Sequence, residues 1–441
     1  MMVLACAAAS GWWFKKIVGF LLTRVAPPNI NATGRCVNSS QSCGSPHVAR
    51  RRIQMRPFGR GRRLASTAIA VGIAVGISGC SSIGSSGDDA QEAGDGQQVQ
   101  AAAAAQSAVD VARDGSSEGP STASRPAVPD KRIAIITLSL DESGSVPVEA
   151  TKAAAEAIGW ETTVFNANHD ISQVSAMVRR AVTAGYDGIM PVVIDCSYAA
   201  SSFQEAKAQG VAIVPIDGVD CDDPASPSPG DSAFSADVST ADGGWADFWR
   251  QAGVLSAQKV IAESNDQAKV ISVLDPEVGV VKAMSEGFND TIEASQGSEV
   301  VETVPFTTPD FASGKLTVMI QTALSRHPEA NYIKSPFSSA TAQYVVPALS
   351  SSRAGVQAVG GEGLPSEIGL IRSGKLLSTT TMPGQWAGWA AIDTFNSVFA
   401  DQQPQDSGLT WTLVDSSNVP SGDIVAANVD YESAYRTAWG K

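Results

Sequence analysis

Gly188-Ile189-Met190-Pro191-Val192-Val193, then residues 199–209, then Val211-Ala212-Ile213-Val214-Pro215-Ile216, is the stretch that decides the fold. Its two outer segments are apolar runs of strand length, and the segment between them has helical spacing. A strand that is apolar at every position, not at alternate ones, is buried on both faces. Strand, helix, strand of this kind predicts a parallel sheet covered by helices on both sides. Ligands of such α/β folds sit at the carboxyl ends of the strands.

The rhythm extends in both directions. Upstream, residues 133–138 and 160–166 read as strands, and 148–158 and 174–184 as helices. After Asp237 it restarts, with helices over 244–263, 281–294, 314–325 and 341–350 and strands over 269–274, 300–304, 331–334 and 356–359. Two successive units predict two similar lobes, which suits a chain of 441 residues with 43% hydrophobic content.

Charge is divided unevenly. Residues 1–80 hold eleven Lys or Arg and no Asp or Glu, so a total of −14 leaves −25 for residues 81–441. A body this acidic repels phosphate backbones, which argues against a nucleic-acid partner.

Residues 55–80 read as a secretory signal: Met55, a basic stretch with Arg56, Arg60, Arg62 and Arg63, an apolar segment over 64–77, then Ser78-Gly79-Cys80. The apolar part is too short for a comfortable membrane span. Ile77-Ser78-Gly79-Cys80 resembles the bacterial lipobox, which implies lipidation of Cys80 and an extracytoplasmic, membrane-anchored protein. Residues 1–54, with Cys6, Cys36 and Cys43, then read as an extension upstream of a true start at Met55. Residues 81–130 have almost no large apolar side chain and are expected to form a disordered tether spanning about 40 Å, with the Ala101 to Ala105 run transiently helical.

Several strings in the body carry a family likeness. They are Gly185-Tyr186-Asp187-Gly188-Ile189-Met190, Gly210-Val211-Ala212-Ile213-Val214-Pro215-Ile216-Asp217, Glu286-Gly287-Phe288, Arg326-His327-Pro328-Glu329-Ala330 and Ile371-Arg372-Ser373-Gly374-Lys375-Leu376. In order and spacing, residues 131–441 resemble the type I periplasmic binding proteins of the ribose- and galactose-binding kind. The resemblance implies two lobes joined by three hinge crossings, near Asp237, Thr381 and Trp411. The N-terminal lobe would then comprise 131–237 and 382–410, and the C-terminal lobe 238–381 and 411–441. It also implies a receptor that closes on a solute and delivers it to the permease of an ABC importer, or, as the alternative, a sensory receptor that presents it to a chemoreceptor or kinase. A transcription regulator of this fold would need a helix-turn-helix before residue 131, where the lipobox and tether stand.

The same resemblance implies the ligand residues and shows departures. Asp141, Glu142 and Ser143 stand where the family has paired aromatics after its first strand. Met284 replaces an arginine, Ser338 and Ser339 an Asn-Asp pair, and Thr381 a hinge glutamine, while Glu362 holds the place of a late acidic residue. Arg and Asn-Asp normally fork onto sugar hydroxyls, so ribose, glucose and galactose themselves are disfavoured. Asp217 and Asp195 follow buried strands at the sheet edge, where a carboxylate either accepts ligand hydroxyls or caps its loop. Phe311 aligns with a ring on the ligand face, and Phe306, Trp245 and Trp386 are further ring candidates. Asp237 and Thr381 fall at hinge crossings. This set predicts a neutral, hydroxylated ligand, with an amine paired to the carboxylates as the alternative.

Cys196 and Cys221 follow consecutive neighbouring strands and are expected to form a disulfide. His47, His169 and His327 stand in no catalytic-triad or metal-ligand spacing, and neither a phosphate-binding loop nor a calcium loop occurs, so no enzyme, cofactor or metal is expected.

Overall fold

A computed structural model describes residues 88–352 and 355–441. The expected signal segment with Cys80, and residues 1–54, lie outside the described residues. Helix α1 (Asp88–Asp114) leads into a sheet of four parallel strands, β1 (Arg132–Thr137), β2 (Glu161–Asn166), β3 (Gly188–Val192) and β4 (Ala212–Ile213), in the order β2-β1-β3-β4. Helices α2 (Glu142–Ile158), α3 (Val174–Thr183) and α4 (Ala200–Ala208) connect them. β1 shows why its apolar run is continuous. Ile133 and Ile135 join the core on one face, and Ala134 and Ile136 join the core on the other. Each buried isoleucine contributes roughly 1.5–3 kcal/mol. β4 is shorter than the expected 211–216 strand, although the N–H groups of Val214 and Ile216 still donate to the carbonyls of Ile189 and Pro191 and Ile216 bridges to Val192.

The second lobe begins with α5 (Trp245–Ser264) and continues through β5 (Lys269–Leu274), α6 (Gly279–Ala294), β6 (Glu299–Pro305), α7 (Thr308–Ala312), α8 (Lys315–Arg326) and β7 (Tyr332–Lys334). A short helix α9 (Ser338–Ala340), a π-helical turn at Thr341–Val345 and α10 (Val346–Ser352) occupy the expected 341–350 helix. Then come β8 (Gln357–Val359), α11 (Pro365–Arg372), β9 (Ser378–Thr381), α12 (Gly384–Phe399), β10 (Thr412–Asp415) and α13 (Tyr431–Trp439). The sheet order is β10-β9-β8-β7-β5-β6, parallel except for β10.

Two expectations are corrected. First, residues 411–441 do not all belong to the second lobe. β10 pairs there, but α13 packs on α12 and α2, where Trp439 stacks on Trp389 at 5.6 Å and donates its indole N–H to Asp393 at 2.8 Å.

Second, the expected disordered tether is ordered where it is described. Ala102, Ala105, Val109 and Ala112 repeat at helical spacing and are buried, most of the stripe lying against α5 and Leu413. Arg113 Nε donates to Asp415 at 3.1 Å, fixing α1 to β10. The following segment docks on the other lobe. Arg125, 5% exposed, pairs with Asp393 at 3.1 Å, and its backbone N–H donates to the Ala438 carbonyl at 2.7 Å. Small alanines and one buried arginine hold this region, so its low hydrophobicity misleads. Among the described residues no helix is long and apolar enough to cross a membrane.

Candidate functional site

The carboxyl ends of both sheets open onto one cleft of about 850 Å³, its mouth included. Most of the polar lining groups follow a strand. Leu138, Ser139 and Asp141 follow β1; Val193 follows β3 and Asp217 follows β4. From the second lobe, Asp275 follows β5, Thr308 and Phe311 follow β6, Phe337 and Ser339 follow β7, and Glu362 follows β8. Trp249 of α5 and Val278, Val280 and Val281 around the start of α6 add apolar surface.

Strained backbone gathers here. Val193 and Asp217 adopt φ of 54° and 52°, and His169, also on the cleft wall, adopts 62°. Left-handed backbone is costly for a β-branched residue such as Val193 and persists where the surrounding structure enforces it, typically at ligand sites. Part of that enforcement is the disulfide between Cys196 and Cys221, whose Cα atoms are 5.2 Å apart and which ties the loop after β3 to the loop after β4.

Of the residues singled out in the sequence, Asp141, Asp217, Phe311, Ser339 and Glu362 line the cleft together. Asp141 also caps α2, accepting from the Gly144 N–H, and lies 3.8 Å from His169 Nε2. Asp217 accepts the Trp249 indole N–H at 2.7 Å. Glu362 accepts the Ser143 hydroxyl at 2.8 Å and the Ser338 N–H at 3.1 Å through the same oxygen. Phe311, Phe337 and Tyr344 form a ring cluster, with centroids 5.5 Å apart for the first pair and 4.9 Å for Phe311 and Tyr344.

The others are placed elsewhere. Met284 is fully buried on the inner side of α6, its sulfur 4.0 Å from Lys334 Nζ. Asp237 takes the N–H groups of Val238 and Trp245 and so anchors the start of α5. Thr381 is buried and donates to the Gly363 carbonyl at 3.3 Å. Ser338 accepts the Leu364 N–H at 3.1 Å. Glu142 accepts the Ser366 hydroxyl from the opposite lobe at 2.9 Å. Asp195 is also shared between lobes, accepting the N–H groups of Val219 at 2.8 Å and Gly279 at 2.7 Å. Trp245 and Phe306 are core, and Trp386 stacks on Tyr431 at 5.2 Å.

Among the lining residues that were not foreseen are Asp275 and Trp249. Asp275 directly follows the β5 run, the same signal that marked Asp217. Trp249 lies one helical turn beyond Trp245.

Burial dominates the electrostatics. It pushes Asp217 up to about 7 and Glu362 up to about 8, against hydrogen bonds from Trp249 and from Ser143 and Ser338 that pull the other way. It also raises Asp275 to about 6. Among the described residues lining the cleft there is no Lys or Arg.

A two-lobed α/β body with strained loops, facing strand ends and a closed cleft is the architecture of a solute clamp. The family model described as periplasmic binding protein domain matches residues 144–403. The chain belongs to the periplasmic binding protein family. Solved periplasmic binding proteins share its fold. A solute-binding protein of an ABC transporter from Bacillus halodurans, with bound myo-inositol, is 19% identical over 67% of this chain and 96% of its own, with a TM-score of 0.54. One from Mycobacterium smegmatis, with bound glycerol, is 22% identical over 68% and 100%, with a TM-score of 0.54. One from Agrobacterium vitis, with bound alpha-D-tagatopyranose, is 18% identical over 66% and 96%, with a TM-score of 0.56. A search of curated proteins finds no match. Periplasmic binding proteins work outside the cytoplasm, and the family and these neighbours are solute-binding proteins.

Proposed function

We propose that this periplasmic binding protein is the solute receptor of an ABC importer, without catalytic activity of its own, and that it encloses a small hydroxylated ligand of the sugar or polyol class. The observation that carries the reading is the cleft itself, closed between two lobes whose strand-end loops supply carboxyl groups and aromatic rings to one cavity. A ligand that touches both lobes favours the closed arrangement, because only there do both sets of contacts exist. Asp141, Asp217, Asp275, Ser339 and Glu362 would take hydroxyl groups, and Trp249, Phe311 and Phe337 would cover the apolar faces of the ring or chain. The sugars and polyols bound by the solved neighbours support the same class. The permease of the importer would then read closure.

A thermal-shift screen of sugars, polyols, nucleosides, amines and glycosides tests this. A cognate ligand at 100 times its Kd stabilises the fold by about 2.7 kcal/mol. A shift with anionic compounds alone would refute the reading. We also propose that synthesis starts at Met55 and that lipid on Cys80 anchors the mature chain. Mass spectrometry of the membrane fraction should find a diacylglyceryl-modified N-terminal cysteine, and a soluble product beginning upstream would overturn this.

A further inference from the structure

We propose that the enclosed solute carries a protonated amino group, held between Asp217 of the first lobe and Glu362 of the second. The inference rests on the reading of the cleft as the solute site and adds the charge of the ligand.

The reasoning starts from what the cleft offers as donors and acceptors. Four carboxyl groups, Asp141, Asp217, Asp275 and Glu362, face one cavity. Asp217 is 6% exposed, and one of its oxygens accepts from Trp249. Its other oxygen has no hydrogen bond among the described residues. The same holds for Glu362, whose bonds from Ser143 and Ser338 both fall on Oε1 and leave Oε2 open. Both residues, with Ser143 and Trp249, also line a smaller adjoining chamber, so they stand where the two cavities meet.

Donors are fewer than acceptors. The Ser143 and Thr308 hydroxyls already donate to Glu362 and Glu277, and the Trp249 N–H to Asp217, which leaves the Ser139 and Ser339 hydroxyls and the His169 ring as the donors on this wall. A polyol hydroxyl both donates and accepts, so a neutral ligand would turn its own oxygens toward carboxylates with little to satisfy them. An ammonium donates three hydrogen bonds and accepts none. It matches an acceptor-rich wall, and the rings of Trp249, Phe311 and Phe337 suit a cation as well as an apolar stem.

Among the described residues no Lys or Arg lines the cleft to take this role. His169 stands beside Asp141, and Lys334 is buried outside the cleft lining, where its ammonium donates to the carbonyls of Ser335 and Gly360. Two carboxylates from opposite lobes on the wall of one cavity repel when both are ionised, and a cation between them turns that repulsion into attraction. Closure then depends on the charge of the solute. Burial keeps Asp217 and Glu362 partly protonated near neutral pH, even though the buried Lys334 ammonium stands close enough to Glu362 to interact with its charge.

Calorimetry with matched probes tests the inference: glucosamine against glucose and N-acetylglucosamine, and glucamine against sorbitol, each in two buffers of different ionisation enthalpy. The amine of a pair should bind at least 100-fold tighter than its neutral partners and should release protons on binding. Asp217→Asn and Glu362→Gln, with melting curves confirming that both fold, should abolish the preference. Neutral members binding as well as the amines would overturn the ammonium and leave the solute-receptor reading standing. Binding of neither set would overturn both.

Discussion

Asp195 and Gly279 join the two lobes directly, the carboxylate after β3 accepting the first N–H of α6 at 2.7 Å. The contact forms only when the lobes meet, and it requires glycine. A Cβ on Gly279 would lie 2.7 Å from Val219 Cγ2 and 3.2 Å from Asp195 Oδ1. Alanine is at least as good a helix former, so Gly279→Ala should leave the second lobe folded while holding the lobes apart. Ligand affinity is expected to fall about tenfold or more, which corresponds to about 1.4 kcal/mol. Asp195→Ala removes a hydrogen bond to a charged acceptor and should cost about 1.5–3 kcal/mol of binding. Calorimetry reads both, and unchanged affinity in both variants would show that the contact plays no part in closure.

The disulfide between Cys196 and Cys221 closes a span of 25 residues. In the chain-entropy account this contributes roughly 3–4 kcal/mol. Cys196→Ser with Cys221→Ser should lower unfolding stability by that amount in urea melts. It should also weaken ligand binding, because the bridged loops carry Asp195 and lie beside Asp217. A loss of stability without loss of affinity would separate the two roles.

Acidity is expected to tighten the empty protein. Burial raises Asp195 to about 6, Asp217 and Asp237 to about 7, and Glu362 to about 8. Each holds its proton in the folded state at a pH where the unfolded chain has released it. Stability is therefore present at low pH and is lost as pH rises from about 4 to about 8. Urea melts at both ends of that window measure the slope, and Asp217→Asn or Glu362→Gln should flatten it.

Asp415 behaves in the opposite sense. Burial alone would raise it, but hydrogen bonds from Ser417 and Arg113 and the charge of Lys259 outweigh burial and hold it down to about 2. Its contribution is present above the ordinary carboxylate range and is lost as pH falls through about 2. Asp415→Ala removes the Arg113 hydrogen bonds and leaves Lys259, 5% exposed, with Glu263 at 2.8 Å as its remaining partner, and should cost about 1.5–3 kcal/mol. Limited proteolysis should then cut within α1 sooner than in the parent, and an unchanged digestion pattern would mean that α1 docks without this pair.

Legibility followed the size of the side chains. β1, β3 and β5 were readable because Ile133 to Ile136, Ile189 to Val192 and Val270 to Val273 are dominated by bulky apolar side chains. α1 was not, because it docks through a stripe as slight as Ala102, Ala105, Val109 and Ala112. At the site, strand ends marked Asp217 and, had the rule been applied evenly, would have marked Asp275. Alignment to a family transfers a position along the chain but not the direction of a side chain. That is why Met284 falls in the core and Asp237 is satisfied by backbone N–H groups, while Asp195, marked by its strand end alone, takes backbone N–H groups instead of facing the cleft.

The segment after α1 sets a mechanical limit. Arg113 is fixed on the second lobe through Asp415, and Arg125 on the first through Asp393. Only the eleven residues from Gly115 to Arg125 join the end of α1 to the second anchor. A fully extended chain advances at most about 3.6 Å per residue, so the gap between the anchors has a covalent ceiling of roughly 40 Å. The jaw has a stop in its travel. Tension applied at Asp88 loads the second lobe first and passes to the first lobe through that short cord, whose Ser117 hydroxyl donates to the Gly408 carbonyl on the way.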